Sequence, residues 1–277
     1  MIELPEAVTI AGQINAALSG KRIVEGNRGT SPHKFAFYTR TAEDYEAILP
    51  GKTILSAESN GSLILVHLDS GYTLVLGSGG ERILYHRRLT DLPAKRQLSL
   101  VFDDGSALSV SIQGWGFVQL LETEEIARHA YINSTKPSPL SGAFTGGYFE
   151  ALFSELEPGD PRSVKYFLIS KPAVLGFGNG CLQDTLWNAG IHPRRHAVSL
   201  MVAEREALYG AIRSTLAQIT SAGGRDGDLD LFGCPGGYKR ILHSKTAGQP
   251  CPACGEPIEK EAYLGGAVYF CPKCQVL

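Results

Sequence analysis

Residues 251–274 read CPACGEPIEKEAYLGGAVYFCPKC, two Cys-x-x-Cys pairs, Cys251/Cys254 and Cys271/Cys274, with sixteen residues between them. Two thiolates two residues apart can face one metal from a tight knuckle, and the segment between the pairs can return as a short hairpin. Each knuckle carries the residues its turn needs, Pro252 and Gly255 in the first and Pro272 in the second. The spacing predicts one structural Zn²⁺ per chain, held by Cys251, Cys254, Cys271 and Cys274. A zinc closed by four thiolates has no open coordination position and does no chemistry itself, so the question is what the ribbon presents.

Upstream of the ribbon, composition bounds the answer. The chain has 277 residues, 43% of them hydrophobic, enough for two modest domains besides the ribbon. Its start, MIELPEAVTIAGQ, carries acid rather than base, and no apolar run reaches the ~18 residues of a membrane span. Neither a secretory signal nor a membrane partner is expected. Six cysteines, with only Cys181 and Cys234 outside the metal pattern, predict reduced thiols and a cytoplasmic setting; a monomer is expected. A net charge of -2 and a pI near 6.4 suit a small-molecule enzyme and count against a nucleic-acid binder, which needs a basic face. The cations are nevertheless clustered: Arg82, Arg87 and Arg88, then Lys95 and Arg96, Arg194 and Arg195, and Lys239, Arg240 and Lys245.

The fold class read from the pattern is α+β. Residues 5–19 predict a helix: Pro5 suits the first turn, Glu6 favours the positive dipole end, and Val8, Ile10, Ala11, Ile14 and Leu18 make an apolar face before Gly20. Period-two segments follow to about residue 121, at 63–68, 73–77, 82–86, 98–102 and 107–112, with Asp69-Ser70-Gly71 and Asp103-Asp104-Gly105 as hairpin turns. They predict an antiparallel β-sandwich over 1–132. Residues 133–140, NSTKPSPL, read as a linker. Helical spacing then appears at 144–156, 163–171, 180–189 and 199–221, giving a helical domain over 141–222. A glycine-rich loop is expected at 223–240, mobile in character, and the ribbon at 241–277.

Within the helical part, Leu175-Gly176-Phe177-Gly178-Asn179-Gly180 precedes a helix-like run. A dinucleotide site needs βαβ alternation and an acid ~20 residues on, and neither is present. The glycines fit a turn between two helices, with Asn179 and the backbone amides around Gly178 offered to one phosphate of a nucleic-acid backbone. A tight turn that merely packs two helices is the alternative.

Taken together, MIELPEA, GFGNGCLQDTLWNAGIHPRR and CPACGEPI…FCPKCQ resemble the formamidopyrimidine-DNA glycosylase/endonuclease VIII (Fpg/Nei) family. The resemblance covers essentially the whole chain in the family's order and implies an N-terminal helix and β-sandwich, a helix–two-turn–helix (H2TH) domain and a zinc ribbon. It further implies base excision repair: a damaged base is flipped from the duplex, the N-terminal amine attacks C1′, and the resulting Schiff base permits strand cleavage. Double-stranded, damaged or distorted DNA is the implied partner.

Residue by residue the match is uneven. Glu3 and Glu6 keep both acids of the family's Pro-Glu-Leu-Pro-Glu start, Asn179 keeps the phosphate-binding asparagine, and all four cysteines are present. The nucleophilic proline is Ile2, and a β-branched residue there is expected to block removal of Met1. The free amine of Met1 would then lie one residue, ~3.5 Å, too far out. The hairpin lysine reads Gly61-Ser62, the Leu-Gly-Met-Ser-Gly segment reads Leu76-Gly77-Ser78-Gly79, and the Asp-Pro-Arg-Arg-Phe-Gly stretch reads Ser111-Ile112-Gln113-Gly114-Trp115-Gly116, making Trp115 the wedge. The ribbon arginine is Gly266. Two lost cations should flatten the salt dependence of DNA binding by about two units.

The sequence therefore predicts a damaged-base DNA glycosylase with Glu3 and Glu6 beside the N-terminus and lyase chemistry in doubt. Trimming that exposes Ile2 as an amine is one variant. The alternatives are a non-catalytic, zinc-containing nucleic-acid binder using Asn179, Arg194, Arg195 and the ribbon, or a protein-interaction module using Trp115 and the acidic run 226–230. Lys239 and Lys245 are further candidate phosphate contacts, though lysines after such a loop are usually just solvated.

Overall fold

The computed structural model describes residues 1–170 and 174–277. The chain divides into two compact units, one formed by Met1–Thr135 with Thr220–Gly237, the other by Lys136–Ile219 with Tyr238–Leu277.

The first unit opens with helix α1 (Leu4–Leu18), which starts one residue before the expected Pro5. Strands β1 (Ile23–Asn27) and β2 (Ala36–Phe37), helix α2 (Ala42–Ile48), strands β3 (Ile54–Asn60), β4 (Leu63–Leu68), β5 (Tyr72–Gly77), β6 (Glu81–His86), β7 (Leu98–Phe102), β8 (Ala107–Ile112) and β9 (Gly116–Glu122), and the short helix α3 (Thr123–Ile126) follow. The strands form two sheets, ordered β1-β7-β8-β6 and β2-β9-β5-β4-β3. Alternation explains the packing: Ile10, Ile14 and Leu18 of α1 join Leu74, Leu76, Leu100 and Phe102 in one buried core. The β4–β5 turn is as read, with Ser70 and Gly71 both at positive φ (57° and 76°), which matches strand twist in a tight hairpin.

Two features escape the antiparallel expectation. β2 pairs with β9 in parallel, Ala36 opposite Gly116 and Phe37 opposite Phe117. Helix α2 was also not anticipated, although its capping box is written in the sequence: Thr41 accepts from the Asp44 amide while Asp44 accepts from that of Thr41. Its single fully buried side chain, Tyr45, donates its hydroxyl hydrogen to the Val118 carbonyl at 2.6 Å.

The glycine-rich segment 220–237 is irregular in backbone, yet it packs as part of the β-rich unit rather than standing as a separate loop. Its glycines serve close approach: a Cβ at Gly236 would sit 2.1 Å from the Gly224 carbonyl carbon. Leu231 is fully buried in the sandwich core, and its amide is held by the Gln13 side chain at 2.9 Å.

The second unit contains α4 (Gly146–Phe153), a π-helical turn (Tyr166–Ser170), α5 (Asn179–Ala189), α6 (Val202–Ser221, whose last two residues belong to the first unit) and the ribbon hairpin β10 (Glu259–Tyr263) and β11 (Gly266–Phe270). The helix expected at 163–171 is present, wound as a π-helix over Tyr166–Ser170, and the last residue of the expected range, Lys171, lies outside the described residues. Helix and ribbon are not separate bodies here. Asp184 of α5 accepts the amides of Ile241 and Leu242 at 2.9 and 2.8 Å, and Gln183 accepts that of Tyr269 at 3.0 Å.

Candidate active site and metal centre

The N-cap of α1 is Glu3, whose backbone amide donates to Glu6 Oε2 at 3.2 Å in a reciprocal capping box. Capping alone leaves both carboxylates near a surface. Here they are buried, Glu3 at 2% exposure and Glu6 at 3%, and the group that makes this tolerable is Arg225 from the glycine-rich segment. Its Nη1 donates to Glu3 Oε1 at 3.0 Å, its Nε and Nη2 form a fork onto Glu6 at 2.9 Å each, and Nη2 also reaches the Met1 carbonyl at 2.7 Å. Asp228 stands 3.2 Å from the same Nη2. A planar guanidinium with five donors is the one side chain able to satisfy so many oxygens in fixed directions. Burial pushes the Glu6 carboxyl up from its ordinary range, and Arg225 pulls against that.

The first two residues are placed by the same neighbourhood. Ile2 is buried, and its nitrogen is a peptide amide donating to the Gly79 carbonyl at 2.8 Å. The Met1 ammonium donates to Asp228 Oδ1 at 2.5 Å. Met1, Glu6, Arg82, Gln113 and Asp228 line a cavity of about 230 Å³. Glu81 lines it too, and burial pushes its carboxyl up to about 7 against its own backbone amide, those of Phe117 (2.8 Å) and Gly79 (2.9 Å), and the N-terminal charge. Glu3 is not in that lining; it sits behind, on Arg225.

Sequence reading missed Arg225, Asp228 and Glu81. The run Gly223-Gly224-Arg225-Asp226-Gly227-Asp228 looked like a solvated loop. The available signal was one arginine among acids in a segment otherwise poor in cations, with two acids waiting near the N-terminus.

In the second unit the four thiols converge. The Sγ atoms of Cys251, Cys254, Cys271 and Cys274 all lie within 4.8 Å of one another, the one such cluster among the described residues. Cys254 and Cys271 are 3.4 Å apart and Cys251 and Cys274 3.9 Å. Four sulfurs at about 2.3 Å from one tetrahedral ion would be separated by roughly this much. The Trp187 indole donates to Cys251 Sγ at 3.5 Å, tying the cluster to α5.

Asn179 stands at the first turn of α5 beside Gly178, its N-cap, and donates to the Ala267 carbonyl at 3.1 Å while its Oδ1 makes no hydrogen bond among the described residues. Next to it is Lys165, 1% exposed, donating to the Tyr263 carbonyl at 2.7 Å. A Cβ added at Gly266 would lie 3.7 Å from both Asn179 Nδ2 and Lys165 Nζ. A buried ammonium thus stands where the missing ribbon arginine would begin. Arg194 and Arg195 are already engaged, with Glu261 at 3.1 Å and Glu204 at 2.8 Å. Lys239 and Lys245 are exposed, and Trp115 is 39% exposed.

A β-sandwich unit with a buried acid cluster and cavity, and a helical unit with a glycine turn and a four-cysteine ribbon, define an H2TH, zinc-ribbon type of protein. Residues 1–112 match the model of the formamidopyrimidine-DNA glycosylase N-terminal domain. The formamidopyrimidine-DNA glycosylase of Gluconobacter oxydans is 31% identical, with 99% of this chain and all of that one covered. That of Geobacillus kaustophilus is 30% identical over 99% and 100%. The crystal structure of MutM (Fpg) from Thermus thermophilus superposes with a TM-score of 0.82 at 25% identity, covering 99% and 98% of the two chains. A Lactococcus lactis Fpg bound to abasic-site DNA has the same fold, TM-score 0.84 at 23% identity over 99% and 100%. The chain belongs to the formamidopyrimidine-DNA glycosylase family.

Proposed function

We infer that this protein is a DNA N-glycosylase of base excision repair that releases a damaged base by hydrolysis, without a protein amine as nucleophile. The observation that carries the second half is the nitrogen at position 2. With Met1 attached it is an amide committed to Gly79, and an amide has no nucleophilic lone pair to offer C1′. The Met1 nitrogen is engaged by Asp228 Oδ1 at 2.5 Å and lies one residue further out than position 2.

In this reading the C1′–N bond breaks as sugar charge builds. The carboxylates about Arg225, with Glu6 and Asp228 in the cavity wall and Glu3 behind them, stabilise that charge. Glu81 supplies the proton carried off by the leaving base, because burial holds it half-protonated near neutral pH. Water then forms the C1′–O bond and gives its proton to a cavity-facing carboxylate. Duplex DNA with a weakly stacked lesion is the substrate class. Asn179 and Lys165 would hold a phosphate, and the four cysteines a structural zinc that secures the ribbon. The protein acts as a monomer.

The test is release of free base from duplexes bearing oxidised purines or oxidised pyrimidines, with Glu3→Gln and Glu81→Gln beside the wild type. Release by the wild type that both variants slow supports the assignment. No release from any lesion would overturn it.

A further inference from the structure

We propose that Arg82 is the side chain that grips the backbone phosphate beside the flipped nucleotide as its base enters the N-terminal cavity. The lining of that cavity sorts by depth. Ile2, Glu6 and Glu81 are buried and form its floor, while Met1, Arg82, Gln113 and Gly227 are exposed and form its rim. Alternation along β6 produces the split: Glu81 and Ile83 turn inward, at 6% and 1% exposure, and Arg82 between them turns out. The strand beneath it is firmly held. Arg82 stands opposite Ser111 of β8 within a continuous antiparallel ladder, and further along Tyr85 donates its amide to the Leu231 carbonyl at 2.8 Å. A side chain on such a strand is well placed to fix a ligand.

Charge singles Arg82 out. The cavity presents three carboxylates, Glu6, Glu81 and Asp228, and each is already engaged. Glu6 takes the Arg225 fork, Asp228 takes Met1 and Arg225, and Glu81 takes the amides of Gly79 and Phe117. The Met1 nitrogen is committed to Asp228, and Arg225 lies outside the lining. The Arg82 guanidinium is then the one cation of the lining without a hydrogen bond, ion pair or ring contact among the described residues. Its neighbours on the strand face, Leu84 and Ser111, carry no charge. A free guanidinium beside an acid-lined hollow suits an anionic ligand that stops at the rim. A nucleotide that swings out of the duplex brings its phosphates with it, and these cannot follow the base in among carboxylates. At the rim, a planar fork of donors matches their oxygens. An intact duplex, its nucleotides still stacked, offers no phosphate at that point.

This rests on the glycosylase reading above, and the experiment separates the two. Anisotropy is used to titrate the full-length protein against a duplex carrying a tetrahydrofuran abasic analogue and against the undamaged duplex of the same sequence, over a series of salt concentrations. The wild type is compared with Arg82→Ala, Arg82→Lys and Arg87→Ala; Arg87 is also exposed but outside the lining, so it reports the loss of a charge alone. Arg82→Ala should weaken binding to the analogue roughly tenfold and lower its salt slope by about one unit, with undamaged-duplex binding as in the wild type. Arg82→Lys should recover the slope but not all of the affinity, because a point charge replaces the fork. In base release, the alanine variant should raise KM more than it lowers kcat. It should also melt with the wild type, since the side chain has no partner to lose. An Arg82→Ala protein that matches Arg87→Ala, or that weakens on both duplexes equally, would overturn the clamp, as would a wild type with no preference for the analogue. Base release by the wild type, scored on the same preparations, reports separately on the glycosylase assignment.

Discussion

Arg225 Nη1 lies 3.0 Å from Glu3 Oε1, a contact across 222 positions of sequence that places both charges beneath the surface of the β-rich unit. It turns a pair of N-terminal acids into a braced ionic cluster, and the family chemistry expected at this end of the chain has to be reconsidered around it.

Removing the guanidinium leaves two buried carboxylates without their cation. Arg225→Ala should destabilise the first unit by about 3–5 kcal/mol, read from urea unfolding followed by circular dichroism. Arg225→Lys, which keeps charge but not the fork, should fall between the alanine variant and the wild type. Loss of less than about 1 kcal/mol in the alanine variant would mean that the cluster is not braced as described.

Glu81 makes stability depend on pH. Its folded carboxyl is pushed up to about 7 from 4.5, so between those values the folded chain holds a proton that the unfolded chain has released. Its contribution therefore falls as pH rises through that window, by roughly 3 kcal/mol at most. Glu81→Gln should flatten the slope of unfolding free energy between pH 5 and 8. A constant offset is expected as well, since an amide NH₂ would face one of the two backbone donors. Parallel slopes in the two proteins would contradict the account.

The four-thiol cluster should carry one zinc per chain by native mass spectrometry. Cys271→Ser, or chelation, should unfold the ribbon and expose Trp187, shifting its emission to longer wavelength. A metal-free wild type with the same emission and melting behaviour would contradict the zinc assignment.

Asn179→Ala and Lys165→Ala should each weaken binding to a damaged duplex, and the lysine variant should also lower the salt slope by about one unit. Arg194→Ala should have a smaller effect, because Arg194 is already paired with Glu261.

Much of the fold was legible because its signals are local. The α1 face, the Asp69-Ser70-Gly71 turn and the cysteine spacing each decide their own geometry within a few residues. The parallel β2–β9 pairing could not be read, since a two-residue strand has no period and its partner lies 80 positions away. The candidate site divides the same way. Glu3, Glu6 and Asn179 were found by their place in motifs, and Arg194 and Arg195 were singled out by charge alone, which says nothing about the acids that meet them. Arg225 and Asp228 were hidden because glycines, read as freedom, here permit close approach. Lys165 was hidden because its significance depends on Gly266, on the far side of the ribbon turn.

Borohydride trapping alongside base release, in one incubation on a lesion-bearing duplex, puts the central claim most directly at risk. The account predicts free damaged base, a strand left intact until alkali treatment, and no covalent protein–DNA adduct. An adduct that maps by mass to the amine of Met1, or to that of Ile2 after trimming, would contradict it.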